Sequence, residues 1–146
     1  MPRIIVVDDH AVIRRGVQGI LLGFPEWELC GEAADGQEAV RLAEAVKPEI
    51  IIMDVSMPGL NGLEATRIIR NILPNTKILL LTLHSSTELV RSAFRAGARG
   101  YVLKSDAEHE LVRALNVVAG DGTYVSPGID QHVAQKAILE ESHAPN

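Results

Sequence analysis

Asp8 and Asp9 close the apolar run IIVV, Asp54 closes IIIM, Thr82 closes ILLL, and Lys104 follows YVL. If these runs are parallel β-strands, their terminal side chains share one rim, because open α/β sheets bind ligands beyond the carboxyl ends of their strands. Three carboxylates, a hydroxyl and an ammonium at one rim suit a hard divalent cation beside a phosphoryl group. Oxygen donors take the cation, while the ammonium and hydroxyl meet phosphoryl oxygens. Three carboxylates this close repel one another, so a bound cation should raise the stability of the apo chain.

The elements that must hold these residues are legible as alternating patterns. Short apolar runs at Arg3 to Val7, Trp27 to Ala33, Ile50 to Asp54, Ile78 to Leu81 and Gly100 to Leu103 alternate with helix-period segments. The helices are expected from about Ala11 to Leu22, Gly36 to Val46, Gly62 to Ile72, Thr87 to Ala96 and Ala107 to Ala119. Repeated βα units of this kind give a parallel sheet. The second run differs, because Trp27 and Leu29 alternate with Glu28 and Glu32. Alternation implies a wet face or a sheet edge, whereas the other runs read as buried on both faces. Gly97 is placed to end a helix in a left-handed conformation.

Bulk properties bound the function. The chain has 146 residues, 47% hydrophobic and 23% charged, which is enough for one domain with a substantial core. Only 3% are aromatic, so the core must be largely aliphatic. The formal net charge of −5 argues against direct nucleic-acid binding, which draws on clustered Lys and Arg. Cys30 is the single cysteine, so no intrachain disulfide is possible and a reducing cytoplasm is expected. No apolar run approaches the about 18 residues of a membrane span, and no signal peptide is evident. From Pro127 the character changes. Residues 129–141 read as a weakly amphipathic helix with Ile129, Val133 and Ala137 on one stripe, followed by a disordered end. The expected division is therefore a domain over 1–126 and a linker over 127–146.

The segments VVDDHAVIRRGV, IIIMDVSMPGLNGLEATRIIR, LLLTLH and GARGYVLKSDAEHELVRAL, in this order, resemble the receiver domain of two-component response regulators. MDVSMPGLNGLEATR and GYVLK are most similar to the NarL/FixJ type, and the resemblance covers about Pro2 to Pro127. It implies a flavodoxin-like, doubly wound sheet of five parallel strands in the order 2-1-3-4-5 with five helices. It implies Asp54 as phosphoacceptor, forming an acyl phosphate by attack on a phosphohistidine of a sensor histidine kinase. Mg²⁺, for which Mn²⁺ can substitute, would be held by Asp8, Asp9, Asp54 and the main-chain carbonyl of Ser56. Lys104 and Thr82 would contact phosphoryl oxygens, and Thr82 with Tyr101 would form the switch. A homodimer is possible. NarL/FixJ members usually carry a C-terminal helix-turn-helix. None is expected after Pro127 here, so DNA would be reached only through such an output domain.

Two departures from the family pattern stand out. Ser105 follows Lys104 where many receivers have proline after a cis peptide. A cis bond before a non-proline residue costs about 3 kcal/mol, so a trans bond is expected. Leu83 follows Thr82 where many relatives have a small residue, and its bulk should narrow access to the acyl phosphate.

Other readings weigh less. A stand-alone receiver acting by protein contacts is the nearest. A Mg²⁺-dependent phosphohydrolase with an aspartyl nucleophile would place a second Asp two residues on, where this chain has Ser56. A flavin module would bring its phosphate against an acidic rim. A degenerate receiver would lack part of the set Asp8, Asp9, Asp54, Thr82 and Lys104. His10 and His84 flank the site without partners at zinc spacing and read as loop histidines. His109, His132 and His143 carry no role, and Cys30 reads as a small packed hydrophobe.

Overall fold

The computed structural model describes residues 2–129 and 138–139. Its strands are β1 (Arg3–Val7), β2 (Glu28–Ala33), β3 (Ile50–Met53), β4 (Lys77–Thr82), β5 (Gly100–Leu103) and β6 (Tyr124–Val125). The α-helices are α1 (Ala11–Leu22), α2 (Gly36–Val46), α3 (Gly62–Ile72), α4 (Thr87–Ala96) and α5 (Ala107–Ala119). A 3-10 turn, Lys104–Asp106, joins β5 to α5.

The sheet order is β2-β1-β3-β4-β5-β6, and every pairing is parallel. The expected order 2-1-3-4-5 is therefore present, with β2 at one edge as its alternating pattern requires. The expectation of five strands needs correction, because β6 adds a sixth beyond β5. Tyr101 pairs with Val125 there, so β5 is an interior strand.

The connections wind both ways across the sheet. Ile5, Val7, Ile51, Met53, Ile78, Leu80 and Tyr101 pack against Ala39 and Ala43 of α2, Ala65 and Ile69 of α3, and Val90, Ala93 and Phe94 of α4. On the opposite face Ile4, Val6, Ile50, Ile52, Leu79, Leu81 and Val102 meet Val17 and Leu21 of α1 and Leu111, Leu115 and Val118 of α5. Strands with both faces covered need continuous apolar runs.

Helix ends are fixed locally. Asp35 caps α2 by accepting from Glu38 N at 2.8 Å. Asn61 and Glu64 form a reciprocal capping box on α3. Gly97 ends α4 at φ 108°, the left-handed conformation expected of it. Ile129, assigned to the linker by sequence, is 4% exposed and packs in the same core as Tyr101 and Leu103. Apart from Ile129 and the helical pair 138–139, the helix expected over 129–141 lies outside the described residues. Among the described residues no helix is long and apolar enough to cross a membrane.

Candidate functional site

Parallel register brings the strand ends level. Val7 lies beside Met53, Met53 beside Leu80, and Thr82 beside Leu103. The residues that follow, Asp8, Asp54 and Lys104, therefore emerge together. Main-chain bonds hold the two acids: Asp54 N donates to Val7 O at 2.9 Å and Asp8 N to Ala33 O at 3.1 Å.

Asp8 and Asp54 are both buried, at 2% and 5% exposure. Lys104 Nζ lies 2.8 Å from Asp8 Oδ2 and 3.3 Å from Asp54 Oδ2, so a single ammonium bridges both carboxylates. Burial pushes the Asp54 carboxyl above its ordinary value; Lys104 opposes this and Asp8 adds to it. Burial works against the Lys104 ammonium, but its hydrogen bond to Asp8 and the charges of Asp54 and Asp8 leave its pKa raised. Lys104–Ser105 is trans, as expected, with no cis bond among the described residues.

Asp9 stands at the exposed rim of this pair. His10, read from sequence as a loop histidine, is drawn into the group. Its Nδ1 lies 3.2 Å from both Asp8 Oδ1 and Asp9 Oδ1, and its main-chain N donates to Asp8 Oδ1 at 2.9 Å. One donor atom from each of Asp8, Asp9, His10 and Asp54 fits within 4.8 Å of the others. Carboxylates so close, with two of them buried, form a donor set that suits a hard divalent cation.

On the β4 side, Thr82 is fully buried and its Oγ1 accepts from His84 N at 3.2 Å. Tyr101, also fully buried, donates its hydroxyl to His84 O at 2.6 Å. The main chain of His84 thus links the two residues assigned to a switch, and the His84 ring approaches Ser56 Oγ at 3.3 Å. Sequence reasoning missed this link because it runs through backbone atoms that any residue supplies.

Burial pushes the Tyr101 phenol from 10.0 up to about 12, against an opposing bond to Thr82. The folded chain holds this proton more tightly than the unfolded chain. The associated stability is complete below pH 10.0 and is lost as pH rises to about 12. Tyr124 is raised as well, by burial and then by Glu110. Spectrophotometric titration should therefore show no tyrosinate band near pH 10 from the native chain. The band is expected to appear with unfolding.

A second residue that sequence reasoning missed is Gly62, the first residue of α3. A Cβ there would lie 2.1 Å from the Asp54 carbonyl oxygen and 2.9 Å from Val55 Cα. Only glycine lets α3 start against the backbone that carries Asp54. Its sequence signal, a glycine after Asn61, marks only a helix start.

The response regulator receiver domain family matches residues 4–116. The transcriptional regulatory protein DegU of Brevibacillus brevis is 37% identical over 134 residues, covering 92% of this chain and 57% of DegU. Response regulator GacA of Pseudomonas aeruginosa is 34% identical, covering 98% of this chain and 67% of GacA. The chain thus spans roughly two thirds or less of these relatives. A LuxR-family two-component response regulator from Aurantimonas sp. SI85-9A1 superposes with a TM-score of 0.88 at 38% identity, covering 94% of this chain and 99% of that one. The receiver domain of the NarL regulator of Mycobacterium tuberculosis superposes with a TM-score of 0.77 at 34% identity, covering 82% and 96%. A strand-end acid pair bridged by one lysine, on a sheet of this order and in a chain this similar, identifies the protein as a member of the response regulator receiver domain family, of the NarL/FixJ type.

Proposed function

We propose that this receiver accepts a phosphoryl group on Asp54 from a sensor histidine kinase and converts it into a conformational change that controls a DNA-binding transcriptional output. The carrying observation is the buried bridge of Lys104 to Asp54 and Asp8, which supplies a nucleophilic carboxylate with a cation beside it. An Asp54 carboxylate oxygen attacks phosphorus, the P–N bond of the phosphohistidine breaks, and the imidazole leaves. Asp8, Asp9, Asp54 and the Ser56 carbonyl would hold Mg²⁺, or Mn²⁺ in its place. When bound, the ion neutralises charge that develops on the phosphoryl oxygens. Lys104 turns from the bare carboxylates to the new group as a point charge on a flexible stem.

Thr82 contributes a hydroxyl donor once it leaves the His84 amide, and that movement acts on the carbonyl to which Tyr101 is bound. The new group adds roughly −1 to −2 charge, by analogy with other phosphorylations. Two charge-assisted hydrogen bonds at about 1.5–3 kcal/mol each are of the order needed to shift a two-state domain. The chain is a phosphoacceptor rather than a turnover enzyme; any assistance it gives to its own dephosphorylation belongs to this proposal. A homodimer and the histidine kinase are the proposed partners, and the cytoplasm is the proposed compartment.

The test is thermal unfolding with Mg²⁺ and then with beryllofluoride, a phosphoryl mimic. Mg²⁺ should raise Tm, by about 2.7 kcal/mol of added stability at a hundredfold excess over Kd. Beryllofluoride should raise Tm further. Asp9→Ala should lose the Mg²⁺ increment. A wild-type chain indifferent to both additions would contradict the reading. Leu83, 74% exposed beside Thr82, gives a kinetic prediction. Leu83→Ala should shorten the acyl-phosphate lifetime, followed by loss of phosphoprotein after the donor is removed. An unchanged lifetime would count against a shielding role.

A further inference from the structure

Asp106 occupies the N-cap position of α5. An aspartate there ordinarily accepts from an amide of the first turn. Asp106 makes no such bond. Its carboxylate accepts instead from Ser126 Oγ, in the chain beyond α5, and Ser126 is fully buried. The N-cap carboxylate therefore serves a contact across the fold.

The segment that carries Ser126 is fastened to the strand behind the site. Tyr124 N donates to Arg99 O at 3.0 Å and Ser126 N to Tyr101 O at 2.9 Å. Tyr124 hydroxyl donates to Glu110 Oε2 of α5 at 2.7 Å. Ile129 shares the core of Tyr101 and Leu103. A Cβ on Gly128 would lie 2.9 Å from the Leu103 side chain and 3.2 Å from the Asp106 carboxylate. The chain thus passes against Leu103 and Asp106, which flank Lys104, the lysine of the site, and Ser105.

The turn Lys104–Asp106 is three residues long, and Leu103 before it has no polar side chain with which to cap it. The Lys104 ammonium is held by Asp8 and Asp54, while its backbone runs from β5 on one side to Asp106 two residues on. We propose that Ser126 and Asp106 are a positioning pair for Lys104, so that residues 124–129 and the phosphorylation site are thermodynamically linked. The proposal rests on reading Asp54 as the phosphoacceptor. Linkage is reciprocal: a strap that sets Lys104 for the phosphoryl group is itself tightened when that group is present.

The experiment measures the rate of phosphoryl uptake from acetyl phosphate with saturating Mg²⁺, for wild type, Ser126→Ala, Asp106→Ala, the double variant and Asp106→Asn. Each alanine should slow uptake by about three- to tenfold, the scale of one hydrogen bond. The double variant should be no slower than either single one, since both remove the same contact. Asp106→Asn keeps an acceptor oxygen and should retain most of the rate. In wild type, beryllofluoride with Mg²⁺ should slow amide exchange at Tyr124 and Ser126, and Ser126→Ala should lose that response. Additive losses, failure of Asp106→Asn to retain the rate, or wild-type behaviour in Ser126→Ala would overturn the pair. A wild-type chain that takes no phosphoryl group would instead remove the underlying reading, and the pair with it.

Discussion

Lys104→Ala is expected to destabilise the metal-free chain by about 3–5 kcal/mol at neutral pH, the cost of breaking a buried ion pair from one side. The side chains of Lys104, Asp8 and Asp54 are 8%, 2% and 5% exposed, so water cannot replace the lost ammonium. Two carboxylates would remain buried and facing each other. Two conditions should shrink the loss. Mg²⁺ supplies the missing charge, so it should stabilise the variant more than it stabilises wild type. Acid should help as well. The Asp54 carboxyl is already raised above 3.8 by burial, against the pull of Lys104, and removing Lys104 raises it further. A folded state that binds the proton more tightly than the unfolded state loses stability as pH rises through the folded pKa and regains it as pH falls. Urea unfolding at neutral and mildly acidic pH, with and without Mg²⁺, measures all three terms. A loss that is the same in every condition would mean that Lys104 acts through packing alone.

Gly62→Ala is the second large effect. Helix propensity alone would favour the change by up to about 1 kcal/mol. The new Cβ, however, would sit 2.1 Å from Asp54 O and 2.9 Å from Asp54 C. Both atoms are backbone, so no rotamer change relieves the clash, and either α3 or the β3–α3 loop must move. Overpacking costs about 1–3 kcal/mol as a rule, and a clash with backbone belongs at the upper end of that range. Movement of the β3–α3 loop would take Asp54, the proposed nucleophile, with it. A misplacement of about 1 Å at a reacting group can cost on the order of 10²-fold in rate. We therefore expect a lower urea midpoint together with phosphoryl uptake slowed by at least that order. Uptake at the wild-type rate in a folded Gly62→Ala chain would show that the β3–α3 junction is slack.

These expectations also show which parts of the molecule sequence could reveal. Helices α2 and α3 begin where local chemistry marks them, at Asp35 and at Asn61 with Glu64. The left-handed stop at Gly97 is likewise a local demand. Asp8, Asp54 and Lys104 were legible because a buried strand ending in a charged residue is conspicuous, and the parallel register then brings those ends together. β6 was not legible. Tyr124–Val125 is two residues long, lies between Gly122 and Pro127, and owes its conformation to pairing with β5. For the same reason Ile129 looked like linker although it is core. The role of Gly62 depends on how closely α3 approaches Asp54, a tertiary distance that no local pattern encodes. His10 joined the acidic group because the β1–α1 turn folds its ring back onto Asp8 and Asp9.

If Asp54 takes up a phosphoryl group with the help of a bound divalent cation, the chain must gain mass at that residue alone. Intact-mass analysis after incubation with acetyl phosphate tests it most directly, run beside Asp54→Ala and beside wild type stripped of divalent ions. One phosphoryl adduct is expected on wild type with Mg²⁺ and none in either control. A folded wild-type chain that gains no adduct, or an Asp54→Ala chain that still gains one, would contradict it.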